Sequence, residues 1–398
     1  MREGKYVIGL TGNIAVGKSV VRQMLQHLGA YTIDADGLTH QAMAPGAPAY
    51  QQIIEMFGRF IVQEDGTINR AILGNIVFSY PEALTKLEQI VHPIVNQAIV
   101  TLVSRAKQRV VVIEAIKLLE SNLLDLVDSV WVVDASPETQ LKRLTEKRKM
   151  SEDEARKRII AQRPQADKIA RADVIIINEG NVEDTWKQVQ SAWGEVRRLL
   201  VGTGIGQSSV VPTASATAGT NARPATAPLS LTSPGIAINI RRGMPANAEA
   251  IARFITRLTN RPTERMDIML AFGQKSYLLA LDSKENLIGL SGWQVENLIT
   301  RVDEFLIEPT LPSEPIVRAL TAAIEDASRE LQSEVSFVFL PESVPPETVQ
   351  VFKSVGYQPL KLEEIKFPAW REAAHELLHD GTVAMMKQLR ADRVMKPI

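Results

Sequence analysis

Gly12-Asn13-Ile14-Ala15-Val16-Gly17-Lys18-Ser19 decides the fold of the first half of this chain. It fits G-x-x-x-x-G-K-S/T, a phosphate-binding loop, and its flanks agree. Tyr6 to Leu10 reads as a short buried strand, and Ser19 to Leu28 as a helix with Val20, Val21, Met24, Leu25 and Leu28 apolar. Glycines let the backbone curl so that successive N–H groups point inward. The helix N-terminus adds partial positive charge and Lys18 a full one, while the Ser19 hydroxyl suits Mg2+ beside the β- and γ-phosphates. ATP contacts are therefore expected from Gly12, Asn13, Ala15, Val16, Gly17, Lys18, Ser19 and Val20.

Outward from the loop, strands and helices alternate for two hundred residues. Thr32-Ile33-Asp34 ends a second strand in the polar cluster Asp34-Ala35-Asp36. Pro45 to Gly58 holds a turn and a helix, and 81–106 reads as helical with a break at His92-Pro93. Val110 to Ile113, Val130 to Val133 and Val174 to Ile177 are apolar strands, and Val182 to Leu199 is a closing helix. Near-continuous apolar strands between helices predict an α/β fold, a parallel sheet covered on both faces.

The chain has 398 residues, 45% hydrophobic and 23% charged, with a formal net charge of −1, which fits two or three globular domains. It has no cysteine, so disulfides, thiolate metal sites and a cysteine nucleophile are excluded. The start reads as no signal peptide, and no apolar run is long enough to span a bilayer. Cytoplasmic location is expected, with neither nucleic acid nor membrane as partner. From Lys142 to Arg171, eleven basic side chains stand against five acidic ones, a net +6. A solvated helix face is the plain account; a lid closing over the transferred phosphate is the functional one.

Past Gly202 the composition turns small and polar up to about Pro234, a linker without apolar periodicity. The expected division is thus a domain at 1–201, a disordered linker at 202–234 and an α+β domain at 235–398.

With Asp34-Ala35-Asp36, Phe57-Gly58, Asp65-Gly66, His92-Pro93, Leu118-Leu119-Glu120, Pro137 to Leu141 with Arg143, Ala161-Gln162 and Ala172 to Ile175 with Asn178, residues 5–200 resemble dephospho-CoA kinase along their length. The resemblance implies a P-loop kinase with a helical lid that transfers the ATP γ-phosphate to the ribose 3′-hydroxyl of dephospho-CoA, completing coenzyme A. An alcohol nucleophile needs a carboxylate to take its proton. Asp34, at a strand's carboxyl end, is the expected base, with Lys18 and Arg143 neutralising the transferring phosphoryl group. Arg148, Arg156 and Arg163 are further lid arginines or merely solvated side chains. Asp36 orients substrate or a Mg2+-bound water, or caps the next helix. His92 contacts substrate, or marks a helix break. Asn178 matches a position near the adenine. Departures from the family pattern are Asn13, Ala15 and Val16 in the loop, and Ile116-Lys117 where a Pro-Leu pair is usual. The rival is another small-molecule kinase on the same fold. A GTPase reading lacks an Asn-Lys-x-Asp motif, and Val110 to Ile113 ends in Glu114 rather than aspartate.

The second half reads strand, helix, strands, helix, strand, helix. With Val351 to Tyr357 it resembles the GNAT acetyltransferase fold. Where that family opens a helix with a glycine-bearing pyrophosphate loop, this chain has Leu311-Pro312-Ser313-Glu314-Pro315-Ile316, whose prolines lack N–H donors. A non-catalytic module of unknown partner is expected, with an active CoA-dependent N-acyltransferase as the alternative. His375-Glu376-Leu377-Leu378-His379 matches H-E-x-x-H, with a solvated amphipathic helix as the plain account.

Overall fold

The computed structural model describes residues 4–202, 237–365, 367–379, 381–391 and 394. Apart from Gly202, the expected linker lies outside them. Five strands, β1 (Tyr6–Thr11), β2 (Tyr31–Asp34), β3 (Val110–Glu114), β4 (Ser129–Asp134) and β5 (Val174–Ile177), form one sheet in the order β2-β3-β1-β4-β5. Every pairing in it is parallel. The chain order reverses on either side of β1, so the loop after β1 opens where α/β sheets bind ligands.

The helices are α1 (Lys18–His27), α2 (Ala35–Ala42), α3 (Tyr50–Phe57), α4 (Arg70–Ser79), α5 (Pro81–Arg105), α6 (Pro137–Arg148), α7 (Glu152–Ile160), α8 (Gln165–Ile169) and α9 (Val182–Gly202). On one face of the sheet α9 lays Trp186, Val189, Trp193, Val196 and Leu200, a single helical stripe, into a core with Val21, Met24 and Leu25 of α1 and Trp131 of β4. On the other face α2 and α5 pack.

The break expected at His92-Pro93 does not occur: α5 runs through Pro93 for 25 residues. A proline in a helix interior costs about 3 kcal/mol. Val91, Val95, Ala98, Ile99 and Leu102 are all buried along the same helix, and at about 1.5–3 kcal/mol each their burial outweighs that loss.

In the second half α10 (Ala248–Thr259) and α11 (Arg265–Ala271) follow β6 (Asn239–Arg242), and β7 (Ser276–Leu281), β8 (Leu287–Glu296) and β9 (Ile299–Ile307) form a meander. Then come α12 (Ser313–Glu330), β10 (Val335–Pro341), α13 (Pro346–Ser354), β11 (Gln358–Pro359), α14 (Pro368–Leu377) and β12 (Thr382–Gln388). The mixed sheet runs β11-β12-β10-β9-β8-β7-β6, with β9 and β10 its parallel pair. β12 inserts between β10 and β11.

The halves are packed together. His27 of α1 stacks edge-on against Phe272 at 5.3 Å and Trp186 at 6.1 Å. Gln23 Nε2 donates to Ser276 Oγ at 3.3 Å, Gln332 Nε2 to the Leu102 carbonyl at 3.0 Å, and Arg265 pairs with Glu183. Lys18 and the stretch Val21 to His27 of α1 are buried, polar residues included. No helix among the described residues is long and apolar enough to cross a membrane.

Candidate active site

The phosphate loop is built by backbone that side chains disfavour. Gly12 has φ +149° and Gly17 φ +97°; a Cβ on Gly12 would lie 2.4 Å from the Val133 carbonyl oxygen, and one on Gly17 2.1 Å from Asn178 Nδ2. Ala15, at φ +58°, is left-handed without being glycine. Lys18 reaches back across the loop to donate to the Asn13 carbonyl at 3.1 Å, and Ser19 is exposed at the start of α1.

Two loop amides already hold anion-like partners. Asn13 N–H donates to Gln165 Oε1 at 3.0 Å and Ile14 N–H to Gln162 Oε1 at 2.7 Å. Asn13 Nδ2 donates to the Arg163 carbonyl at 3.1 Å. The segment joining α7 to α8 thus sits on the loop, its amide oxygens where phosphate oxygens would bind. These glutamines carried no role in the sequence reading apart from the Ala161-Gln162 match.

Arg143 of α6 approaches the loop from outside. Its Nη1 donates to the Ala15 and Val16 carbonyls at 3.1 and 2.9 Å, and its Nη2 to the Asn178 carbonyl at 2.7 Å. Buried Asn178 donates through Nδ2 to the Val16 carbonyl at 2.8 Å. Arg143 and Asn178 together fix the loop's outer curve.

The carboxylates gather at the ends of β2 and β3. Asp34 ends β2 in register beside Glu114 at the end of β3. Asp34 also caps α2, its Oδ1 accepting from Gly37 N–H at 2.9 Å. Asp36 Oδ2 accepts from Ile116 N–H at 3.2 Å, and burial together with the Asp34 charge raises its carboxyl above the usual range. The proline usual at position 116 in the family pattern could not make that bond. Glu114 is 8% exposed and pairs with equally buried Arg22 at 2.6 Å; burial raises its carboxyl while Arg22 opposes the shift. Burial lowers the Lys18 ammonium, against the charges of Glu114, Asp36 and Asp34. Lys168 of α8 donates to the Ile116 carbonyl at 2.8 Å and is lowered by burial to about 8. Arg22, Glu114 and Lys168 as site residues escaped the sequence, because Arg22 and Glu114 lie 92 residues apart and Lys168 and Ile116 52.

A groove of about 220 Å3 opens beside Asp36, lined among others by Thr39, His92, Asn96 and Lys117. His92 is exposed on it. Arg156 is held by Glu152 and Arg158 by Glu154 along α7, and Arg163 faces Glu120 at 3.9 Å. These pairs are largely exposed on the lid surface.

The structure does not align the two histidines of the H-E-x-x-H match at 375–379 on one helix. α14 ends at Leu377, so His379 lies beyond the helix that would align it with His375. Glu376 pairs with Arg301 at 3.0 Å, and no group of three potential ligands occurs among the described residues.

The family model for dephospho-CoA kinase matches residues 6–184. The dephospho-CoA kinase of Geobacter metallireducens is 44% identical over 192 residues, covering 48% of this chain and 96% of that protein. A solved structure of TT1252 from Thermus thermophilus, 30% identical, covers 48% of this chain and 97% of its own with a TM-score of 0.44. For the second half, a GNAT-family acetyltransferase structure from Staphylococcus aureus covers 39% of this chain and 100% of its own at 12% identity and a TM-score of 0.31. Matched across nearly the whole length of a 44% identical relative, with the phosphate loop and carboxylate cluster inside the match, the chain belongs to the dephospho-CoA kinase family, ATP-using enzymes of the last step of coenzyme A synthesis.

Proposed function

We propose that the first half phosphorylates the ribose 3′-hydroxyl of dephospho-CoA with Asp34 as general base. The observation that carries this reading is the register of Asp34 beside Glu114 at the strand ends, facing the Lys18 side of the loop. The Asp34 carboxylate takes the 3′-hydroxyl proton as the oxygen attacks the γ-phosphorus and the bond to ADP breaks. The N–H groups of Asn13 and Ile14, freed from Gln165 and Gln162, hold phosphate oxygens, and Lys18 offsets their charge. Arg143 acts through the loop carbonyls it grips. Asp36 and His92 border the groove that receives the acceptor.

Exposed Ser19 and the nearby carboxylates are a donor set that suits Mg2+, which neutralises phosphate charge when bound. ADP release with a panel of acceptors tests the reading: turnover of dephospho-CoA and not of nucleosides or shikimate is expected, and the reverse pattern overturns it.

The division into 1–201, 202–234 and 235–398 belongs to the same proposal, as does a cytoplasmic setting. The second half is read as acetyltransferase-like and non-catalytic. Its α12 starts after Pro312, with Pro315 in the first turn, so two amides that would cradle a pyrophosphate are missing. Acetyl-CoA consumption by the intact protein would refute that part.

A further inference from the structure

The β8–β9 turn is a two-residue connection, Asn297-Leu298, with both residues left-handed at φ 50° and 65°. Such turns favour Asn-Gly, and a left-handed Leu is strained. A free hairpin has nothing to offset that. Here Leu298 is 7% exposed and belongs to the apolar cluster that holds Leu38 and Ala42 of α2. The strain is offset by that burial.

The turn presses on two positions of α2 one helical turn apart. Gln41 Nε2 donates to the Asn297 carbonyl at 2.5 Å. At Gly37 a Cβ would lie 2.0 Å from Asn297 Oδ1, so alanine there forces the Asn297 amide to move. Gly37 is also the residue whose N–H holds Asp34 Oδ1. The acid's own hydrogen-bond donor is therefore backed by the second half, and Gln332 anchors that half again on the end of α5.

We infer that Asn297 and Leu298 are positioning residues of the kinase site: the hairpin tip of the second half sets the first turn of α2 and thereby the aim of the Asp34 carboxylate. This rests on the reading of Asp34 as the base. It assigns the fused half a part in phosphoryl transfer, without contact to the reacting atoms.

The test uses the full chain. Gly37→Ala favours the helix in isolation, so any harm comes from the Asn297 amide. kcat should fall about 10-fold or more while KM for ATP stays unchanged, as misaimed catalytic groups do. Adding Asn297→Gly opens the space and should restore kcat to within about 3-fold of wild type. A Gly37→Ala enzyme with full kcat overturns the inference. So does a loss that Asn297→Gly fails to relieve, because its cause then lies inside α2. Should Gly37→Ala not fold, Gln41→Met removes only the bond to the Asn297 carbonyl; a drop of about 3- to 10-fold in kcat alone is expected, and wild-type turnover overturns the inference. Asp34→Asn in the same assay separates the two readings: near wild-type turnover there overturns the base assignment, whatever the rescue shows at Gly37.

Discussion

Both halves place non-glycine residues in left-handed backbone, and they use it in opposite ways. In the first half Ala15, between Gly12 and Gly17, turns N–H groups toward a space for a ligand. In the second half Asn297, Leu298 and Gln332 push side chains and carbonyls outward onto the first half. One set of strained positions makes a cradle; the other makes a plug. The start of α12, by contrast, carries Pro312 and Pro315 and so lacks two amide donors. Polar chemistry is concentrated in one half and mechanical contact in the other.

The largest effect that tests this division is expected at Asp34. Asp34→Asn should keep ATP binding and lose about 10²–10⁴-fold in kcat, the worth of a positioned base. Single-turnover kinetics with dephospho-CoA measures it. Lys18→Ala should weaken both ATP binding and turnover, because the ammonium meets phosphate in ground and transition states alike.

Next in size is the buried pair Arg22–Glu114. Arg22→Met leaves the Glu114 carboxylate without its partner, an expected cost of about 3–5 kcal/mol. Arg22→Met with Glu114→Met should recover most of it. Arg22 shares α1 with the docking residues Gln23 and His27, and Glu296 of β8 adds to its field. Denaturant melts should therefore move as one transition across both halves; two separate transitions would break the comparison into independent domains.

How much of this was legible follows from which contacts are local. The loop, the strands beside it and Asp34 announce themselves within a few residues, because glycine spacing and apolar runs are local signals. The lid's charge was visible, but Gln162 and Gln165 were not, since a glutamine carries no sign of which amide it meets. α1 read as an amphipathic helix with one apolar face. Gln23 and His27 on its other face meet Ser276 and Phe272 of the second half, and nothing in their own sequence says so. α4, α11 and β12 escaped for a related reason. β12 is defined by insertion between β10 and β11, a pairing across tens of residues. Pro93 misled in the other direction: a strong local breaker lost to a buried stripe on a long helix.

His27 gives the third test. Its ring is buried at the seam, Nδ1 within 2.7 Å of the Gln23 carbonyl, and burial lowers it from 6.5 to about 4. Folding thus favours the neutral ring. Its contribution is fully present above about pH 6.5 and is lost as pH falls toward 4, up to about 3 kcal/mol in all. Urea melts of wild type and His27→Leu across that window should converge as pH falls. Parallel curves would mean that His27 is not sealed between the halves.

The smallest effect sets the two strained sites side by side. Ala15→Gly relieves a left-handed alanine, and the gain of about 1 kcal/mol is partly offset by the greater freedom of glycine in the unfolded chain. Ala15 buries little, and its carbonyl still accepts from Arg143 at 3.1 Å after the change. A net stabilisation of roughly 0.5 kcal/mol with kcat/KM nearly unchanged is expected. Leu298→Gly relieves a comparable φ but gives up a buried side chain, worth about 1.5–3 kcal/mol. That variant should lose stability and turnover together. Opposite signs from the same backbone relief would separate cradle from plug, as thermal melts and steady-state rates can read. Stabilisation by both would mean that Leu298 is held by nothing outside its own hairpin, and the mechanical role of the second half would fall with it.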